Sequence, residues 1–292
     1  MDEGKSSLPK NMAHWKGPRH PMNFPLNYVC LAVYAASVVF YALNLYRDRR
    51  WMGYLATILL VAGLAAHYFA LLDRAKAIHA IPYDDLYGSM SLFAWLVAIT
   101  YLGLELYHRE RAVGSLVVPF VVFWVIVAIA VAPSSVPRAP RANGALFALH
   151  ITIGILAYSA FAISFLLSVI YLLQNRKLHR GKPGLAFWRF PALDLLERMS
   201  RSSVWVGWLA LIASTILGFV WARRLPGHYP MTDPKVVVTF LVLAVYAGYL
   251  WIVRTPGGRG ARAALVCACN FAVVLFSFTI VNRYFTGFHR YF

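Results

Sequence analysis

Apolar residues fall into eight long runs, at about 25–46, 53–72, 88–107, 116–132, 146–173, 203–221, 236–253 and 263–282, parted by short polar connections. A helix needs about 20 such residues to cross the hydrocarbon core of a bilayer. Backbone groups in lipid must find partners within the chain, and runs of this length do so as helices rather than as barrel strands. The pattern predicts an all-α integral membrane protein, a polytopic bundle of about eight transmembrane helices. A polar tail over 1–24 precedes one transmembrane domain over 25–292, and the short connections leave no room for a soluble domain.

The polar connections set the expected orientation. Those after the first, third, fifth and seventh runs carry fifteen Lys and Arg, against seven in the other three. Cytoplasmic loops carry the excess of positive charge, so the first set is assigned to the cytoplasm. Counting both tails narrows the bias to 15 against 13. Both termini and the 73–87, 133–145 and 222–235 connections are then outside. The longest connection, 174–202, is basic and breaker-rich at first, from Asn175 to Gly184. After Pro191, the mixture of Leu193, Leu195, Leu196 and Met199 with Asp194, Glu197, Arg198 and Arg201 predicts a short interfacial helix on the cytoplasmic surface. No internal repeat is evident.

Composition sharpens this picture. The chain of 292 residues is 60% hydrophobic and 13% charged, which excludes an ordinary soluble domain. Its net charge of +17 lies in the connections, where Lys and Arg set topology and meet lipid head groups. No basic cluster interleaved with stacking aromatics is present, and nucleic acid is excluded as a partner. Cys30, Cys267 and Cys269 all lie within apolar runs, and no Cys-x-x-Cys-His marks a covalently attached haem. The first 24 residues lack the apolar core of a cleavable signal, so the first helix is expected to direct insertion.

Position sorts the nine histidines. His14 and His20 lie in the tail and His108 and His179 in cytoplasmic connections, where solvated surface histidine is the default. His79 and His228 fall in outer connections. His67 lies inside the second run, where an ionisable residue raises a functional hypothesis but a neutral imidazole bonded to a neighbouring helix costs little. His150 begins the fifth run and His289 follows the eighth, so topology alone brings both to the outer face. Two readings stand at this point. They are interfacial histidines among head groups, or a pair of imidazoles able to ligate one haem iron from both sides.

Several ordered motifs bear on that choice. The outer connection reads Ile81-Pro82-Tyr83-Asp84-Asp85-Leu86-Tyr87-Gly88-Ser89, and a helix opens with His150-Ile151 before Ala157-Tyr158. Leu193-Asp194 precedes the sixth run, and the chain closes with Val281-Asn282 and Gly287-Phe288-His289. With the loop over 218–235, these make the chain similar to the cytochrome c assembly family, haem-handling membrane proteins with a Trp-rich outer loop. Within it, the resemblance is to the eight-helix members of the CcsA/ResC and HemX type, and it runs from about Leu59 to the C-terminus. The loop retains Gly218, Trp221, Ala222, Gly227, Tyr229, Asp233, Pro234 and Lys235. Pro230 and Thr232 stand where the family has its two signature tryptophans, Pro226 replaces a further aromatic and Val236 replaces Glu. Tyr249-Leu250-Trp251 falls where haem-exporting members carry a histidine.

The resemblance implies a haem-handling protein that presents b-type haem at the outer face for cytochrome c maturation. His150 and His289 would be axial metal ligands, and Trp221, Tyr229 and Asp233 would shape the cofactor-binding loop. Retention would be weak, because stacking on each lost indole contributes on the order of 1 kcal/mol. No catalytic residue is expected. The chain would act as a subunit of a haem-attachment complex, beside a membrane partner with a periplasmic domain, in the bacterial-type inner membrane. The alternative is a HemX-like interaction protein that regulates or stabilises glutamyl-tRNA reductase in tetrapyrrole synthesis.

Overall fold

A computed structural model describes residues 24–47, 49–78, 81–82, 85–131, 144–181, 190–224 and 234–276. Eight helices occur among the described residues: α1 (Phe24–Arg47), α2 (Arg50–Ile78), α3 (Leu86–His108), α4 (Gly114–Ala130), α5 (Ala145–His179), α6 (Leu193–Ala222), α7 (Pro234–Ile252) and α8 (Ala261–Phe276). No strand occurs among the described residues. Six of the helices are long and apolar enough to cross a membrane, while α4 and the described part of α8 are shorter apolar helices. The protein is a multi-pass helical membrane protein, as the eight apolar runs predict.

The α5 and α6 helices run well beyond their apolar runs, both on the side of the connection that joins them. The α5 helix continues through Arg176, Lys177 and His179, and α6 begins at Leu193. The expected interfacial helix after Pro191 is therefore the first two turns of α6 rather than a separate element. The reason lies in its packing: Leu196 and Met199 are fully buried, and Ser200 and Ser203 nearly so, while Asp194 and Arg198 pair in solvent on the other side. An acidic residue in the first turn also suits the positive end of the helix.

Side chains from α1 to α4 form one core around Tyr34, Tyr41, Leu60, Val97, Tyr101 and Val117, which reaches Ile163 and Leu167 of α5 and Leu196 of α6. A second core joins α5 to α8 around Phe161, Val204, Tyr246, Cys267 and Phe271. Aromatic stacking reinforces it: the rings of Phe161 and Tyr246 lie 3.8 Å apart at 9°. Cys30 and Cys267 are buried and Cys269 is exposed, and none of the three is in a disulfide. The α5–α6 pairing is the most extensive helix contact, followed by α1–α2.

Buried polar groups tie the first half together. Glu105 of α3, 2% exposed, accepts hydrogen bonds from the Tyr41 hydroxyl of α1 and the Thr57 hydroxyl of α2. Arg111, after α3, places Nε 3.6 Å from the same carboxylate and its guanidinium 4.0 Å above the Tyr54 ring. At the other end of the bundle, Arg74 of α2 pairs with Asp85 at 2.7 Å and donates from Nε to the Pro82 carbonyl at 3.0 Å. Asp85 also accepts from the Gly88 amide at 2.8 Å, which caps α3.

The Glu105 site gives a stability prediction. Glu105→Ala takes the acceptor from the buried Tyr41 hydroxyl, while the half-buried Thr57 hydroxyl keeps the Gly53 carbonyl, at a cost on the order of 1–3 kcal/mol. In detergent the variant is expected to melt well below the parent, and Tyr41→Phe in the Glu105→Ala background is expected to cost almost nothing further. Additive losses in that double-mutant cycle would show that Tyr41 and Glu105 are energetically independent.

Candidate functional site

The α5–α6 contact is built from small residues at helical spacing. On α6, Ser203, Gly207, Ser214 and Gly218 recur at intervals of four or seven residues, and they face Ala160, Ala157, Gly154 and His150 of α5. Small side chains let helix backbones approach closely in lipid, where hydrophobic burial supplies no drive for association. The tightness is measurable. A Cβ on Gly207 would lie 2.7 Å from the Phe161 ring and 3.1 Å from the Ala157 carbonyl, and one on Gly154 would lie 3.0 Å from Ser214 Oγ. Ser203 Oγ donates to the Ala160 carbonyl at 2.7 Å, so hydroxyls as well as van der Waals contact hold the seam.

His150 ends this seam. Its imidazole lies against Gly218, where a Cβ would approach Cε1 to 2.7 Å and Nδ1 to 2.9 Å. Nδ1 donates to the Ser214 carbonyl at 2.8 Å, and Ser214 Oγ in turn donates to the His150 carbonyl at 2.8 Å. A carbonyl only accepts, so this bond places the proton on Nδ1 and the lone pair on Nε2. Metal-binding histidines are oriented in this way, by a backbone or carboxylate acceptor on the other ring nitrogen. The side chain is thus set by two residues of α6 that carry no ligating group themselves.

His150 lines a cavity of about 390 Å³ whose wall is drawn from α3 to α8. That volume falls within the roughly 300–1,000 Å³ of small-molecule and cofactor sites. The wall is predominantly apolar and aromatic, with Phe93, Phe120, Trp124, Tyr158 and Trp221 among its residues. Trp221 packs against Phe147 across the α5–α6 junction, ring centroids 4.8 Å apart at 37°. Lys235 in the first turn of α7 also lines the cavity; it is 8% exposed, with Nζ 5.8 Å from the Tyr158 ring centroid.

The structure thus brings together two of the residues singled out in the sequence, His150 and Trp221. His289, Tyr229 and Asp233 lie outside the described residues, as do His14, His20, His79 and His228. His67 is buried at 1% exposure, away from this cavity, with Nε2 2.9 Å from Ser91 Oγ and Nδ1 3.5 Å from the Tyr34 hydroxyl. It acts as a polar link among α1, α2 and α3. His108 departs from the solvated role expected of it, because its Nε2 is 3.1 Å from Ser202 Oγ and joins α3 to α6. His179 keeps the expected exposure and bonds only to the Asn175 carbonyl one turn back. Sequence reasoning missed Ser214 as part of the site and named Lys235 only as a retained loop position. The signal available for Ser214 was its place in the small-residue spacing of α6. No group of three or more metal-binding side chains occurs among the described residues.

The profile of the family described as cytochrome C assembly protein matches residues 83–289. The chain is 26% identical over 263 residues to Protein HemX of Brevibacillus brevis, covering 88% of this chain and 92% of that protein. It is 27% identical over 244 residues to cytochrome c biogenesis protein CcsA of Prochlorococcus marinus (strain MIT 9312), covering 76% and 79% of the two. A solved structure, cytochrome c heme lyase CcmF, superposes with a TM-score of 0.63 at 16% identity. That likeness is one of fold; it covers 94% of this chain and 48% of that one.

The contact between Gly218 and His150 yields a paired prediction. Gly218→Ala forces the imidazole off the Ser214 carbonyl and is expected to destabilise the fold by about 1–3 kcal/mol, as overpacking does. Gly103→Ala, on α3 with open space around its Cα, is expected to be neutral or to stabilise by up to about 1 kcal/mol. Thermal melting in detergent compares the two directly. Equal melting temperatures would mean that the seam yields at Gly218.

Proposed function

The chain belongs to the cytochrome c assembly protein family, and from that membership we propose that it holds haem at the outer face of a membrane for delivery to cytochrome c. The observation that carries this reading is His150: an imidazole with its proton held on Nδ1 by Ser214, placed on the wall of an apolar cavity of cofactor size. The residues fit haem. His150 and His289 would hold the iron. Trp221 with Phe147 would offer an aromatic wall to the ring, and Tyr229 and Asp233 would contribute from the connection between α6 and α7. Bound haem would supply the iron and the porphyrin edge to which cysteine thiols are joined. This chain orients the ring and keeps water from it, and no acid–base residue is required.

The charge bias of the connections supports placing the His150 end outside, in a bacterial-type inner membrane. A membrane partner with a periplasmic domain would align the thiols of the apocytochrome. A second reading has its own support. Pro230 and Thr232 occupy the positions of the signature tryptophans, and relatives named HemX align over 88% of the chain. In that reading the protein sits in lipid and stabilises glutamyl-tRNA reductase through its basic end, where α5 and α6 project beyond their apolar runs.

Haem retention tests the first reading. Protein purified in mild detergent is expected to carry sub-stoichiometric b-type haem with a low-spin spectrum. His150→Ala or His289→Ala abolishes the signal or converts it to high spin, added imidazole partly restores it, and His79→Ala leaves it unchanged. Trp at positions 230 and 232 raises occupancy. A protein that stays colourless in haem-fed cells, together with normal c-type cytochromes in a deletion strain, would hand the function to the second reading.

A further inference from the structure

We infer that the seam between α6 and α7, at the basic end of the bundle, is a binding site for one anionic phospholipid, with Arg201 and Arg254 on its phosphate and Trp205 beside its glycerol. His150 packs at the other end of α6, and the inference is independent of the haem reading. Three features of the seam support it.

The first is a ladder on one face of α6. Arg201, Trp205 and Leu209 are four residues apart, so they lie one above another along the helix. The apolar run of α6 begins at about 203 and that of α7 ends at about 253, so Arg201 and Arg254 both stand at the edge of the hydrocarbon. Below Arg201 come a half-buried indole and then Leu209, 55% exposed. Charge, aromatic ring and aliphatic chain in that order match the phosphate, glycerol and acyl chain of a lipid, and indoles settle at the head-group level.

The second is convergence. Arg254, just past α7, has its guanidinium 5.8 Å from the Trp205 ring centroid, and Arg201 lies within electrostatic range of the Tyr249 hydroxyl of α7. The backbone at Arg254 is fixed: its amide donates to the Trp251 carbonyl at 3.0 Å, Val253 is buried, and Arg259 Nε donates to the Val253 carbonyl at 3.1 Å. One turn deeper, Trp208 Nε1 donates to the Leu243 carbonyl at 3.0 Å and closes the seam below the two cations.

The third is charge. Among the described residues neither Arg201 nor Arg254 makes an ion pair. The two acids that precede Arg201 on α6 are engaged elsewhere, Asp194 with Arg198 and Glu197 Oε2 with the Gly260 amide at 3.1 Å. Contact with a ring face leaves the edge N–H groups of Arg254 available, and guanidinium matches a phosphate with parallel donors. Basic pockets between membrane helices hold anionic head groups in this way. A zwitterionic head group would bring its own cation beside the two guanidiniums, so the charge match selects an anionic lipid.

The test is native mass spectrometry of the full-length protein, equilibrated in mild detergent with equal amounts of phosphatidylglycerol and phosphatidylcholine of matched acyl chains. Wild type is expected to retain phosphatidylglycerol in preference. Arg201→Gln and Arg254→Gln are each expected to cut the preference about fivefold, the effect of one cation at a lipid surface, and the double variant to bind the two lipids alike. Arg176→Gln with Arg180→Gln removes the same charge from the exposed end of α5 and is expected to leave the preference unchanged. Excess glycerol 3-phosphate is expected not to displace the lipid, because it offers no acyl chain to Leu209. Thermal melting in lipid-free detergent shows that each variant is folded. Equal retention of the two lipids by wild type would overturn the inference without recourse to any variant. An equal loss in the Arg176 and Arg180 variant would overturn the site in favour of diffuse attraction, and displacement by glycerol 3-phosphate would overturn the lipid as its occupant.

Discussion

The close approach of α5 and α6 is the constraint on which the site depends. Glycine, alanine and serine at helical spacing bring the two backbones together, and hydroxyl donors to backbone carbonyls hold them there. Once the seam is set, the position of His150 follows, because its ring rests on a residue without a Cβ and bonds to a carbonyl of the facing helix. The other walls of the cavity are arranged around this pair. On the α3 side, Arg74 and Asp85 fix the start of the helix that contributes Ser89, Met90 and Phe93. The imidazole is therefore held by packing as well as by its own hydrogen bond, and its geometry is prepared before any ligand arrives.

Two different kinds of interaction would hold a porphyrin in this fold, and the chain has kept them unequally. Ligation, in the proposed function, would depend on a single atom of His150, which is seated in α5. Stacking depends on broad aromatic faces, and the loop between α6 and α7 has exchanged two of its characteristic indoles for Pro230 and Thr232. Trp221, at the very end of α6, remains and packs with Phe147. A carrier weakened in stacking alone keeps its selectivity while releasing cargo faster, since residence time is where loss of non-directional contact area is felt.

Much of the fold was legible in the apolar runs, because a helix in lipid must be apolar over nearly its whole length. The ends were less legible. The start of α6 reads as a separate amphipathic helix, since Asp194, Glu197, Arg198 and Arg201 interrupt the hydrophobic pattern; only the bundle shows that Leu196 and Met199 continue the same buried stripe. His150 was legible from its motif. Its partners were not, because pairing Ser214 with His150 spans 64 residues and depends on which two helices meet. His67 carried the same sequence-level suspicion as His150, and only its serine and tyrosine neighbours mark it as a structural link.

Glu105 has a consequence for how the protein is made. A charged side chain in a lone membrane helix is costly, up to about 2.5–3.5 kcal/mol at the helix centre and less toward its end, where Glu105 lies. The hydroxyls that receive the Glu105 carboxylate, from Tyr41 and Thr57, belong to α1 and α2, which leave the ribosome first. The α3 helix is therefore synthesised after the hydroxyls that make Glu105 tolerable in lipid. Biogenesis in this order lets α3 enter beside its partners, and a circular permutation that begins the chain at α3 would expose the carboxylate at the moment of insertion.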